Sequence, residues 1–179
     1  MVEGMAVPEA SLEQTEHGLV CTGPGWFVVN VEDVRWRSWP GLGFSTNLGG
    51  DTLFEQIGIG ISVLGPGEPM SMYHWETEQE DFLVLAGAGT LVIDGEERPL
   101  RQWDFVHCPP RTAHVIVGGP CAVLGIGSRE DDSEDWGEYV ADPVAVRLGA
   151  APAETTTELE TAYARFPPRE FTKYGGWLA

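Results

Sequence analysis

Basic residues are scarce in this chain. Ten lysines and arginines stand against 28 aspartates and glutamates in 179 residues, a formal net charge of −18. Such a surface repels nucleic acids and anionic membranes, and no basic patch or DNA-binding helix pair offsets it. Cysteine is scarce too. Cys21, Cys108 and Cys121 are odd in number and widely spaced, which excludes a disulfide framework and a zinc ribbon. No run approaches the ~18 apolar residues of a membrane-spanning helix. The opening MVEGMAVPEASLEQTEHGLV has neither a basic start nor an apolar centre, so it does not read as a secretory signal. No internal repeat is present. The expectation is a soluble cytoplasmic protein with reduced thiols, working on small molecules, with no nucleic acid or membrane among its partners.

What the chain does have is 42% hydrophobic residues with 21% charged, enough for a real core. Its 23 Gly and 13 Pro are scattered between short apolar runs, a pattern of many short strands joined by turns. Strands are expected at Trp26–Val31, Phe54–Leu64, Ser71–Glu80, Phe82–Leu85, Thr90–Ile93, Glu97–Leu100, Asp104–Cys108, His114–Val117 and Cys121–Gly127. Gly58 and Gly60 leave room for a neighbour or a bend. Residues 36–51 read as a long loop or irregular hairpin near a pocket mouth. Turns are expected at residues 66–69 and at Gly87-Ala88-Gly89, and Asp94-Gly95 is a strong hairpin signal. This spacing argues for an all-β sandwich or barrel.

The length suits one domain with extensions. Residues 1–24 read as an N-terminal arm, 25–129 as the barrel, and 130–179 as an acidic linker and C-terminal extension packing on it. The acidic run from Glu130 to Glu138 reads as a solvated linker. Pro143–Leu148 suggests an edge strand. A helix is expected over 157–166, capped by Thr155 or Thr156 and stopped by Pro167-Pro168. The tail KYGGWLA is expected to pack on the barrel or on a second subunit.

Two segments carry the chemistry: GEPMSMYHWETEQEDFLVLAG, from Gly67 to Gly87, and DFVHCPPRTAH, from Asp104 to His114. Side chains alternate faces along a strand. His74, Glu76, Glu78 and Glu80 therefore share one face if the strand runs unbroken. Carboxylates crowded on a buried wall are costly unless a cation neutralises them, and a divalent metal is the simplest compensation. Mixed imidazole and carboxylate donors suit Fe(II), Mn(II), Ni(II), Zn(II) or Co(II).

These segments resemble the two motifs of the cupin superfamily. Glu80 and Gly87 have the expected separation, and His74 takes the place of the first motif histidine. Glu76 stands where a second histidine is usual. In the second motif Pro109 and His114 fall in place, while Trp103 and Arg111 stand where glycines are usual. The phrases EDFLVLAGAGTLVIDGEERPL and WDFVHCPPRTAHV look like a bacterial cupin subfamily of unsettled activity. The resemblance implies a double-stranded β-helix (jelly-roll) barrel holding a metal through His74, Glu80 and His114. It implies no substrate, because the fold hosts many chemistries.

Glu76 has three open readings: a fourth ligand, a group beside the ligands that orients water or substrate, or a sign that the metal is lost. The oxygen-rich set tilts the metal toward Fe(II) or Mn(II), with Zn(II) or Ni(II) possible. Single residues also have plainer readings. Glu78 reads first as a rim residue, His107 as a packing or surface histidine, Cys108 as a small core residue. Arg111 binds a substrate carboxylate or pairs with surface acids. The leading functional expectation is a metal-dependent enzyme on a small polar organic substrate, of dioxygenase or isomerase, epimerase or lyase type, with Glu76 or Glu78 as base. The alternative is a ligand-binding or sensing module without turnover. Edge strands and terminal arms suggest a homodimer.

Overall fold

In this computed structural model, residues 6–52, 54–129 and 136–176 are described. Most of the acidic run (Glu130 to Asp135) and the end of the tail (Trp177 and Leu178) lie outside the described residues. The chain begins with a hairpin, β1 (Leu12–Thr15) and β2 (Gly18–Cys21). One antiparallel sheet then takes in β3 (Trp36–Trp39), β4 (Gly43–Asn47), β5 (Ile57–Leu64), β6 (His74–Glu76) and β7 (Glu80–Ile93). It continues through β8 (Glu96–Arg101), β9 (Phe105–Cys108), β10 (His114–Ser128), β11 (Gly137–Tyr139) and β12 (Glu170–Thr172). The fold is an all-β barrel with a small helical extension, as the resemblance implies.

The spine is the pairing of β7 with β10, 14 and 15 residues long. The first part of β7 also pairs with β9 and the second part with β8, so one long strand ties three partners together. A register shift between Gly118 and Cys121 bends this ladder. Gly87 sits opposite the shift with φ 74°, and a Cβ there would lie 2.1 Å from the Pro120 carbonyl oxygen. The turn expected at residues 87–89 is therefore a bulge within a continuous strand. Asp94 (φ 47°) and Gly95 (φ 75°) form the two-residue hairpin turn, closed by Ile93 opposite Glu96.

Alternation divides the strands between two cores. Val84, Leu91 and Ile116 point inward with Leu64, Leu100 and Val123. Val92, Val115 and Val117 point outward, where Ala145, Ala150 and Ala151 cover them. That cover comes from α1 (Pro143–Arg147). Asp142 caps it, accepting from the Val144 and Ala145 backbone N–H groups at 2.8 and 3.0 Å, with proline in the first turn. An edge strand was expected here. The Asp-Pro start, which suits a helix N-terminus, outweighs the β-branched Val144 and Val146.

Three further expectations need correcting. Trp26–Val31 is not a strand. Trp26 makes a single bridge with Glu9, while Val29 and Val31 pack against the cluster around Trp36 and Ile61. The expected strand over 71–80 is regular only at His74–Glu76, because the chain leaves the ladder at 77–79 before β7 begins. The C-terminal helix is one turn, α2 (Leu159–Ala162), and no side chain caps it. Thr156 Oγ1 instead accepts from the Glu158 N–H at 3.1 Å just before it. This extension lays Ala162, Tyr163 and Phe166 on Leu42, Met72 and Trp39. Tyr174 packs at a tilt against Trp36, with ring centroids 5.7 Å apart.

Candidate metal centre

His74 on β6 lies directly opposite His114 on β10. Both side chains face the barrel interior because their neighbours Tyr73 and Val115 belong to the outer core. Glu80 opens β7 and completes the group: one ligand atom from each of His74, Glu80 and His114 lies within 4.8 Å of the others. Glu80 Oε2 is 3.2 Å from His114 Nε2 and 3.5 Å from His74 Nε2.

Both imidazoles are oriented in the same way. His74 Nδ1 faces the Met72 carbonyl oxygen at 2.7 Å, and His114 Nδ1 faces that of Thr112 at 2.9 Å. A carbonyl oxygen only accepts, so each Nδ1 carries the proton and donates. Each Nε2 is turned toward Glu80 as a ligand would be. Glu80 Oε2 and His114 Nε2 are buried, and neither makes a hydrogen bond despite their proximity. Two orphaned polar atoms at one point are costly unless something binds there. The residues fit a metal ion: His74, Glu80 and His114 could hold one.

Electrostatics agrees with the geometry. Burial works against charge on His74, yet the Glu76 and Glu80 carboxylates outweigh it and raise the imidazole to about 10. Burial opposes charge on His114 as well, and Cys108 and Glu80 bring it up to about 9. Burial pushes Glu80 upward, but His114 and His74 hold it at about 2. The surroundings that favour a proton on each imidazole would equally favour a cation between them.

The break at 77–79 separates the carboxylates that one strand would have aligned. Glu76 stays at the site, its Oε1 3.3 Å from His74 Nε2. Glu78 accepts from the Thr77 hydroxyl at 2.7 Å and lines no cavity at the centre. Arg111 is exposed, with its guanidinium carbon 5.0 Å from the Trp75 ring centre, on neither cavity described below. His107 is exposed and meets Asp81 at 2.6 Å, and Cys108 is buried in the inner core.

A cavity of about 220 Å³ is bounded by His74, Glu76, Glu80, Phe82, His114, Tyr139 and Tyr163, among others. A second, of about 370 Å³, shares Met70, Glu76, Glu80 and Phe82 with it and extends along Gly58, Gly60, Gly125 and Gly127 to Arg129. Sequence reasoning missed Tyr139, Tyr163 and Arg129. Tyr139 reaches the site because β11 pairs with β6, setting Tyr139 opposite His74. Tyr163 follows α2 and accepts from the Met72 N–H at 3.1 Å. Burial raises both phenols above their ordinary value, so both are protonated at neutral pH. No local motif signals any of the three.

Residues 60–124 match the family model of the cupin domain. This chain carries a cupin domain. The matched segment includes His74, Glu76, Glu80 and His114, whereas Arg129, Tyr139 and Tyr163 follow it. Among solved structures, a protein of Acidithiobacillus ferrooxidans provisionally assigned as a sugar phosphate isomerase is 32% identical, over 51% of this chain and 63% of its own, with a TM-score of 0.46. A sugar phosphate isomerase from a cupin superfamily, of Silicibacter pomeroyi, is 31% identical over 49% and 59%, with a TM-score of 0.44. A cupin protein of Bacteroides fragilis is 24% identical over 51% and 81%, also with a TM-score of 0.44. The chain thus spans about three fifths of the length of the first two. No curated protein matches it.

Proposed function

We propose that this cupin is a metal-dependent enzyme that moves a proton on a small polar organic substrate, as an isomerase, epimerase or lyase does. One observation carries the reading: a carboxylate beyond the ligand set. Glu76 sits 3.3 Å from His74 and lines both cavities beside Glu80. His74, Glu80 and His114 would hold one divalent ion, with Fe(II) or Mn(II) favoured by the oxygen-rich surroundings and Zn(II) or Ni(II) also suited. Such an ion supplies Lewis acidity toward a substrate carbonyl or hydroxyl oxygen.

The remaining work falls to the chain's own residues. Glu76 takes the proton from the carbon beside a carbonyl, and the C–H electron pair moves toward that oxygen. Glu76 then returns the proton at the neighbouring carbon, or at the opposite face of the same carbon. Tyr139 and Tyr163, kept protonated by burial, donate hydrogen bonds to substrate oxygens. Phe82 and Met70 close the apolar side and limit water. Cytoplasmic residence and a homodimer belong to the same reading. The three buried, unbridged cysteines support the first, and light scattering tests the second.

The test has two parts. Elemental analysis of protein purified without chelator should find close to one transition metal per chain. In deuterated water, the loaded protein should then wash solvent deuterium into the C–H beside the carbonyl of a hydroxy-keto substrate, read by NMR. Glu76→Gln should abolish that exchange while the metal content holds. Metal lost with Glu76→Gln makes Glu76 a ligand instead. Oxygen uptake by the iron-loaded protein makes the enzyme a dioxygenase. Loaded protein that binds but never exchanges makes it a sensing module.

A further inference from the structure

We infer that Arg129 anchors an oxyanion in this site, so that the substrate carries a carboxylate or phosphate group. The inference rests on the metal-site reading above and adds the class of molecule.

β5 and β10 together form one wall of the larger cavity. Their register pairs Gly60 with Gly125 and Gly58 with Gly127. Gly125 and Gly127 also stand opposite Phe82 and Glu80 of β7, which face the interior. All four glycines line the larger cavity. At Gly60 a Cβ would lie 2.5 Å from the Thr46 carbonyl oxygen and at Gly125 3.2 Å from Met70 Cε, so the open room is at the Gly58 and Gly127 end. A Cβ on Gly127 would meet nothing nearer than Glu80 Cγ at 3.8 Å. At one end of the cavity are Glu76 and Glu80, beside the metal ligands. Just past the end of β10 is Arg129, among the described residues the one lysine or arginine on the lining of either cavity at the centre.

Arg129 is held in place from two sides. Its backbone N–H donates to the Gln56 carbonyl at 2.9 Å, and Nη1 donates to the Phe54 carbonyl at 3.0 Å. Those bonds leave Nε and Nη2, the edge of a guanidinium that grips an oxyanion with two hydrogen bonds. That edge lies over Gly58, where a Cβ would be 3.4 Å from both nitrogens. Among the described residues no carboxylate pairs with Arg129. The cavity is therefore electrically polar, with metal ligands and a base at one end and a fixed cation at the other. A small molecule with an oxyanion at one end and a carbonyl or hydroxyl at the other matches both.

The test uses Mn(II)-loaded full-length protein and isothermal titration with oxalate, glycerol phosphate and uncharged glycerol. Wild type should bind one of the two anions in clear preference to glycerol, and which one identifies the oxyanion as carboxylate or phosphate. Arg129→Gln should weaken that binding by roughly tenfold or more, the scale of a lost charge-assisted pair of hydrogen bonds. Arg129→Lys should fall between, and Arg111→Gln should match wild type. Manganese content should be equal in all four. Unchanged anion binding in Arg129→Gln overturns the inference, as does its loss in Arg111→Gln, or no preference for either anion over glycerol. Failure of the wild type to hold Mn(II) overturns the metal reading instead. The metal-free chain then still reports on Arg129, with a weaker anion response in Arg129→Gln supporting the anchor and an equal response overturning it.

Discussion

The two ends of the β5/β10 pair make the same hydrogen bonds and do opposite things. Toward one end, Leu64 faces Cys121 and Ser62 faces Val123. Leu64, Cys121 and Val123 belong to the inner core, with Leu64 only 1% exposed. Toward the other end, Gly60 faces Gly125 and Gly58 faces Gly127, and the interior is open. The backbone ladder runs through both regions, so strand pairing alone decides neither. Side-chain volume at alternate positions decides where the barrel is packed and where it holds a ligand.

The strongest way to break this comparison is at the filled end. Leu64→Ala should lower unfolding stability by about 3 kcal/mol in chemical denaturation, since a buried leucine loses both transfer energy and packing. Its metal content should stay at the wild-type level. A loss of metal in this variant would show that the two ends are not independent. His114→Ala at the open end should do the reverse. Metal affinity should fall more than roughly a hundredfold, given that even the outer partners of ligands are worth about 10–100-fold. The far-ultraviolet circular dichroism should be unchanged.

Acid and base should act on the open end before the filled one. His74 and His114 are raised from 6.5 to about 10 and about 9. In the metal-free chain their contribution to stability is complete below pH 6.5 and fades as pH rises through 9 to 10. Glu80, lowered from 4.5 to about 2, contributes above pH 4.5 and fades as pH falls toward 2. Metal-free protein should therefore be most stable between those limits. A bound ion must displace the imidazole protons, so the rise in melting temperature on adding Mn(II) should be small near pH 6 and grow toward pH 8 or so. A rise independent of pH would mean that the imidazoles are not the ligands. Smallest is Gly127→Ala. One methyl on the bare wall should shift stability by under about 0.5 kcal/mol, while the same variant narrows the cavity and weakens anion binding measurably in titration.

Much of this was legible in the sequence because it is local. Period-two alternation marked the strands, and Asp94-Gly95 fixed a hairpin. The resemblance carried by His74, Glu80, Gly87, Pro109 and His114 marked the candidate ligand group. The sites at Trp103 and Arg111, where the resemblance expects glycine, do adopt the left-handed backbone, with φ 73° and 66°. The backbone geometry persists although the residue that suits it best is gone. What was not legible is long-range. Tyr139 meets His74 through strand pairing 65 positions away, and Arg129 meets Gly58 through the pairing of β10 with β5. The break at 77–79 was also hidden, because alternation of His74, Glu76, Glu78 and Glu80 reads as strand whether or not a partner strand accepts it. The helix at Pro143–Arg147 could have been read from Asp142-Pro143, a cap and first-turn pair that β-branched valines obscured.

The single rung joining His74 to His114 has a kinetic consequence. These residues share no hairpin, and Glu80 enters from a third strand. The three donors converge only after two long loops have closed, a step that comes late in folding for a topology rich in distant pairings. An ion arriving early finds scattered side chains, while an ion in the finished barrel ties three strands together. Mn(II) should therefore leave the refolding rate nearly unchanged and slow unfolding by the whole of its binding advantage, so that the metal acts as a latch on the native state and not as a template for reaching it.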